Sequence, residues 1–160
     1  MTIRPMREAD GDACAAIMLD LPLMARYGVT TAEAARAGLA DVFGGTCWGL
    51  VAEEDGRAVG FVIYTLRGTF VHSGYVRTVA VAPDAQGRGI GRRLMDAVEA
   101  AIFAQGPNVF LLVSTENAGA QRFYEGRGYR RVGEIIDYVR RGITEIVYRK
   151  TLGPIRDRDA

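Results

Sequence analysis

The residues with the clearest capacity for chemistry are Gln86-Gly87-Arg88-Gly89-Ile90-Gly91, with Arg92 and Arg93 directly behind them. Three glycines in five residues let a backbone turn sharply and approach a ligand with no Cβ in the way. Where such a loop opens a helix, several N–H groups lack an acceptor inside the helix, and the terminus carries about half a positive charge. That combination suits a phosphate. Two familiar nucleotide signatures do not fit. GxGxxG would need glycine where Arg92 stands, and no Walker-type lysine follows. Metal and thiol chemistry have less support. The chain has one histidine, His72, and two cysteines, Cys14 and Cys47, neither in a CxxC. Both thiols are expected reduced and buried, and no metal is expected.

The elements that must position this loop can be read from periodicity. Residues 76–82 are apolar and β-branched with one charge, which predicts a strand, and Pro83 cannot donate to a ladder, so the strand should end there. From Arg92 the pattern is helical, with Leu94, Val98, Ala101 and Ile102 on one face and Arg92 and Asp96 as an i,i+4 pair, until Gly106-Pro107. Residues 109–113 are continuously apolar, which predicts a strand buried on both faces. Asn117 is placed to cap a helix over 118–126 that carries Ala120, Phe123 and Tyr124 on one side. Upstream, residues 2–7 read as a strand, and Asp10 or Asp12 can cap a helix to about Leu19. Residues 21–28 read as a loop holding Tyr27, which either lines a substrate lip or packs between helices. Thr30 or Thr31 can cap a second helix that ends before Gly44-Gly45. Residues 47–52 and 58–64 flank Asp55-Gly56 as a hairpin, 66–74 are ambiguous, and 129–138 and 143–150 are strands. The order β-α-α-β-β-β-α-β-α-β-β implies an α+β domain over residues 1–152, with 153–160 a charged, loose tail.

At 160 residues and a formal net charge of +1 the chain is long enough for a core and has no global basic signal, so neither nucleic acid nor membrane is expected as a partner. Residues 1–8 contain no apolar signal core, and the expected setting is the cytoplasm.

Two segments together narrow the phosphate loop. Gln86-Gly87-Arg88-Gly89-Ile90-Gly91, after a Val79-x-Val81-x-Pro83 strand, resembles the Q/R-x-x-G-x-G/A signature of the GCN5-related N-acetyltransferases, the GNAT superfamily. Asn117-x-x-Ala120-x-x-Phe123-Tyr124-Glu125-x-x-Gly128-Tyr129 is similar to that family's second block. The likeness is sharp over residues 75–130 and rests on strand order elsewhere. It implies a mixed, mostly antiparallel, twisted sheet of six or seven strands with about four helices, splayed at a central parallel pair. It also implies acetyl-CoA as cosubstrate and an amine of a small molecule or peptide as acceptor. By position, the backbone of Val79, Ala80 and Val81 would pair with the pantetheine arm. The N–H groups from Gly87 through Arg88, Gly89, Ile90 and Gly91 to Arg92 would cradle the pyrophosphate behind Gln86. Asn117 would bind the cosubstrate, and Tyr124 would stand near the sulfur as general acid.

Acetyl transfer needs a neutral amine. A lysine-like amine lies about 3.4 units above pH 7, a cost of about 4.6 kcal/mol, whereas an α-amine costs about 1 kcal/mol. Family members often carry a glutamate at one of two positions, which here hold Tyr75 and Leu112. The candidates left for a base are Glu145, with Asp137 and Tyr138 across the last hairpin, then His72, then a water chain. Tyr27 and Tyr75 are candidate acceptor-side residues. A non-catalytic acyl-CoA-binding domain is the alternative reading, and the apolar final strands are compatible with a homodimer.

Overall fold

Asp55 and Gly56 both take positive φ, 49° and 78°, the geometry of a tight hairpin turn, and they fold β2 (Trp48–Glu54) back onto β3 (Arg57–Thr69). In the computed structural model, which describes residues 1–156, this hairpin lies within a seven-stranded sheet. The remaining strands are β1 (Thr2–Pro5), β4 (Ser73–Val81), β5 (Asn108–Ser114), β6 (Arg130–Ile136) and β7 (Thr144–Thr151), in the order β1-β2-β3-β4-β5-β7-β6. β4 and β5 are parallel, in the register Gly74↔Val109, Tyr75↔Phe110, Val76↔Leu111, and both strands continue beyond the last of these pairs. The sheet is therefore mixed, as the resemblance implied.

Six helices accompany it among the described residues: α1 (Gly11–Leu19), α2 (Pro22–Arg26), α3 (Ala32–Ala37), α4 (Ala40–Phe43), α5 (Ile90–Phe103) and α6 (Ala118–Gly126). About four were expected. The first extra helix is α2, in the segment read as a loop. Pro22 sits in its first turn, where a missing N–H costs nothing and the fixed φ favours helix. The second arises because the helix expected to reach Phe43 breaks at Gly38-Leu39. Thr31 caps α3, its Oγ1 accepting the Ala34 N–H at 3.2 Å. Gly38 is a poor helix residue, and Leu39 turns fully inward.

The chain divides into two compact units, Met1–Thr65 with Arg77–Ala100, and Leu66–Val76 with the described residues from Ala101 on. In the first, Val51, Phe61, Ile63, Ile90, Leu94 and Met95 form a closed core. In the second, Ile102, Val109, Leu111, Ile146 and Tyr148 do. The apolar face expected of α5 is thus the buried one.

Several expectations need correction. β5 is not buried on both faces: Val109, Leu111 and Val113 are enclosed, while Phe110 and Leu112 are half-buried. The ambiguous stretch is the end of β3, a three-residue connection and the start of β4. Cys14 is buried, and burial pushes its thiol up to about 12, but Cys47 is only half-buried. Asp10 stands at the N-cap of α1 but gives that helix no side-chain bond; its carboxylate accepts the Arg7 N–H instead. Part of the expected tail, residues 157–160, lies outside the described residues.

Candidate active site

The first unit carries the glycine loop. β4 ends at Val81, and a 3₁₀ turn, Pro83–Ala85, leads into it. Gly87 and Gly89 take φ of 76° and 77°, with Arg88 between them at negative φ. Alternation of this kind turns successive N–H groups to one side. Ile90, only 1% exposed, roots the first turn of α5 in the core, and the Arg93 N–H donates to the Gly89 carbonyl at 3.1 Å. The helix therefore starts at the loop, and the N–H groups of Ile90 and Gly91 have no acceptor within it. A Cβ on Gly87 or Gly89 would meet no atom within 4 Å, so the outer side of the loop is open space. The positive helix end, the open face and the nearby arginines fit a pyrophosphate.

Local ties shape the rim of this loop. Gln86 Nε2 donates to the Val81 carbonyl at 3.2 Å, so the Val81 oxygen expected to meet pantetheine already has a partner. Arg88 pairs with Glu54 at 2.7 Å. Arg57 holds Asp84 through both carboxylate oxygens, which keeps that carboxyl below its ordinary range. Ala80 is buried, Val79 and Val81 are half-buried, and Arg92 is exposed. Tyr27 is half-buried at the end of α2.

The second unit carries the other block. Asn117 caps α6, its Oδ1 accepting the Ala120 N–H at 3.0 Å, which leaves the amide nitrogen as the group it can offer a ligand. Gln121 Nε2 bonds the carbonyls of Ser114 and Thr115 and ties α6 to the end of β5. Tyr124 is 8% exposed, its ring edge-on to Phe123 (5.1 Å) and to Tyr129 (5.5 Å). The Tyr129 N–H also donates to the Tyr124 carbonyl at 3.0 Å, so Tyr129 grips this residue twice. In the sequence Tyr129 closes the second block and opens the strand expected over 129–138; its place five residues after Tyr124, just past Gly128, is the signal for this contact.

The base candidates separate by environment. Glu145 lies on β7 opposite Ser114 of β5 and Ile135 of β6, and is 2% exposed, so it is not on a solvated strand face. His72 is exposed. Asp137 accepts the Gly142 N–H at 2.6 Å and shapes the β6–β7 connection, and Tyr138 is exposed. Tyr75, half-buried, is opposite Phe110 in the parallel register. Also unforeseen is Tyr148, whose buried hydroxyl donates to Glu125 at 2.8 Å and is pushed up to about 12 by burial and that carboxylate. Among the described residues there is no cluster of three or more His, Cys, Asp or Glu that could hold a metal, and no helix long and apolar enough to cross a membrane.

Comparison with known proteins bears on the family and the fold. The model of the acetyltransferase (GNAT) family matches residues 18–129. The N-alpha-acetyltransferase RimI of Mycobacterium tuberculosis is 41% identical over 83 residues, 51% of this chain and 51% of that protein. The chain spans about half the length of the curated relatives it matches. Among solved structures, a ribosomal-protein-alanine N-acetyltransferase from Brucella melitensis aligns with a TM-score of 0.75 at 24% identity, over 95% of this chain and 100% of that one. An aminoglycoside 6′-N-acetyltransferase complexed with coenzyme A aligns with a TM-score of 0.77 at 15% identity, over 96% of this chain and 98% of its own. These two likenesses concern the fold.

Proposed function

We propose that this chain, which belongs to the GNAT acetyltransferase family, moves an acetyl group from acetyl-CoA to a primary amine of a small molecule or peptide, by direct attack while both are bound. The observation that carries the reading is the open, positive-φ glycine loop at the start of α5. In this reading residues 1–152 act as one catalytic domain in the cytoplasm. The N–H groups of Ile90 and Gly91, with the guanidinium groups of Arg88 and Arg92, hold the pyrophosphate. The Arg88–Glu54 pair gives way to it, since an exposed pair is worth at most about 1 kcal/mol. The main chain of Val79 and Ala80 holds the pantetheine arm, and the Asn117 amide contributes a donor. Bound acetyl-CoA supplies an activated acyl group on a thioester. The Tyr124 hydroxyl donates a proton to the departing thiolate, and Glu145 accepts the proton that the amine sheds. Tyr27 and Tyr75 belong to the acceptor side.

A peptide amine acceptor is supported by the likeness to RimI, named as an N-alpha-acetyltransferase. An α-amine also asks less of a base, at about 1 kcal/mol against about 4.6 for a lysine-like amine. The deciding experiment is thiol release from acetyl-CoA against a panel of N-terminal peptides, lysine peptides and small amines. Cosubstrate binding with no turnover on any of them favours a non-catalytic acyl-CoA-binding domain.

Glu145→Gln is expected to lower kcat/KM on the order of tenfold to a hundredfold for lysine-like amines and less for α-amines. Equal losses for both classes, or none, would remove Glu145 as the base. Gly89→Val is expected to weaken coenzyme A binding by at least about tenfold in calorimetry, because a β-branched residue at φ 77° is strained and its side chain would stand in the open face of the loop. Unchanged binding would place the phosphate elsewhere. The reading also includes a homodimer. Val132, Ile135 and Ile136 are exposed on β6, the strand at the edge of the sheet, and a second copy is an occupant that such an edge can pair with. Sedimentation of Ile136→Asp beside the unaltered chain tests this: a dimer that the substitution splits supports it, and a monomer in both sinks it.

A further inference from the structure

We propose that a hollow in the second unit is a binding site for a small organic carboxylate with an aromatic body, independent of the acetyl-transfer reading. The hollow has a volume of about 370 Å³, and its lining includes Phe70, Ser73, Asn108, Phe110, Val132 and Arg149. Ser73 and Asn108 are the first residues of β4 and β5. Within this unit the residues assigned to the cosubstrate, Asn117 and Tyr124, follow the opposite end of β5, so this is a different place.

Its polar groups are donors with capacity to spare. Arg149 Nε donates to Asn108 Oδ1 at 2.7 Å and Arg149 Nη2 to Thr151 Oγ1 at 3.2 Å, both neutral acceptors. A guanidinium has five N–H donors. Among the described residues no carboxylate pairs with this one. With its oxygen committed to Arg149, Asn108 has an amide NH₂ left to give, and it is 3% exposed. Ser73 is 2% exposed, and among the described residues its hydroxyl has no hydrogen-bond partner. Three donor groups line one cavity, one of them a cation with no carboxylate partner among the described residues, and they call for an anion with several lone pairs. A carboxylate has about four acceptor sites.

The rest of the hollow calls for an apolar body. The Phe70 and Phe110 rings stand 5.3 Å apart at 77°, and a third ring can join such an edge-to-face pair. Phe70 sits in the connection between β3 and β4, with φ of 49°, and Val71 follows at 72°. Glycine or asparagine suits such positions, and a β-branched residue there is an outlier. Phe70 is nevertheless 73% exposed, so fold packing does not repay the strain. A ligand against the ring does.

Calorimetry on the full chain with 3-phenylpropionate, and with 3-phenylpropan-1-ol as the uncharged control, tests the proposal. The acid is expected to bind with a submillimolar Kd, and the alcohol at least about tenfold more weakly. Arg149→Gln should weaken the acid at least about tenfold, and Ser73→Ala about threefold. Ser73→Ala keeps the test in force should Arg149→Gln fail to fold. Phe70→Asn with Val71→Gly should raise the melting temperature by relieving the turn while weakening the acid. No saturable binding, equal binding of the alcohol, or full affinity in these variants overturns the proposal.

Discussion

Tyr124→Phe is expected to lower kcat about a hundredfold while the Kd for acetyl-CoA stays within about threefold. The ring is 8% exposed, and its edge-on contacts with Phe123 and Tyr129 need only the aromatic body, so phenylalanine keeps the packing. The main-chain bond from the Tyr129 N–H to the Tyr124 carbonyl is untouched. The change removes only the hydroxyl. General acid catalysis is worth about a hundredfold to ten-thousandfold, and a thiolate is a better leaving group than an alkoxide, so the low end of that range applies. Single-turnover kinetics separate the chemical step from product release. A variant with full single-turnover rate removes Tyr124 from the mechanism. A variant that loses cosubstrate affinity in proportion to rate makes it a binding residue instead.

Local rules made the glycine loop and the second block legible in the sequence. Pro83 fixes its own φ, Gly87 and Gly89 permit the positive φ that the loop needs, and Asn117 caps α6 with an atom three residues from its target. Asp55-Gly56 turned its hairpin for the same reason. Elements whose local preference is weak were misread. Residues 22–26 form a helix only five residues long, too short to show a period, and the break at Gly38-Leu39 follows from Leu39 being drawn inward. The connection at Phe70 and Val71 has no turn residue in it, so nothing announced where β3 ends. Glu145 shows the limit most clearly. Alternation along 143–150 assigns it a face but cannot say whether that face is wet, and its neighbours across the ladders, Ser114 and Ile135, are 31 and 10 residues away in sequence.

Asp10 carries the largest expected effect on stability; it reads in the sequence as a helix cap, and in the structure its carboxylate is instead held by Arg4 and the Arg7 N–H. Arg4 grips both Asp10 oxygens, Nη1 to Oδ2 at 2.7 Å and Nη2 to Oδ1 at 2.8 Å, and the Arg7 N–H donates to Oδ2 at 2.7 Å. The same guanidinium reaches Glu53 through Nε at 2.8 Å. The Asp10 and Arg4 side chains are 10% and 17% exposed, so the cluster is neither a surface pair nor a fully buried one. Asp10→Ala should then cost about 2–3 kcal/mol, short of the 3–5 for breaking a fully buried pair. Glu53→Ala should cost less, because Glu53 is more exposed and Arg4 keeps its bidentate grip on Asp10. The hydrogen bonds from Arg4 hold the Asp10 carboxyl below its ordinary range, against the opposing effect of burial. A carboxyl depressed in the folded state contributes stability above its unfolded pKa of about 3.9, and that contribution is lost as pH falls through the folded value. Urea unfolding at pH 7 should show the full gap between the unaltered chain and Asp10→Asn, and the gap should narrow steadily below about pH 4. Parallel stability curves down to pH 2 would mean that the Asp10 charge contributes nothing and that only its shape and hydrogen bonds matter.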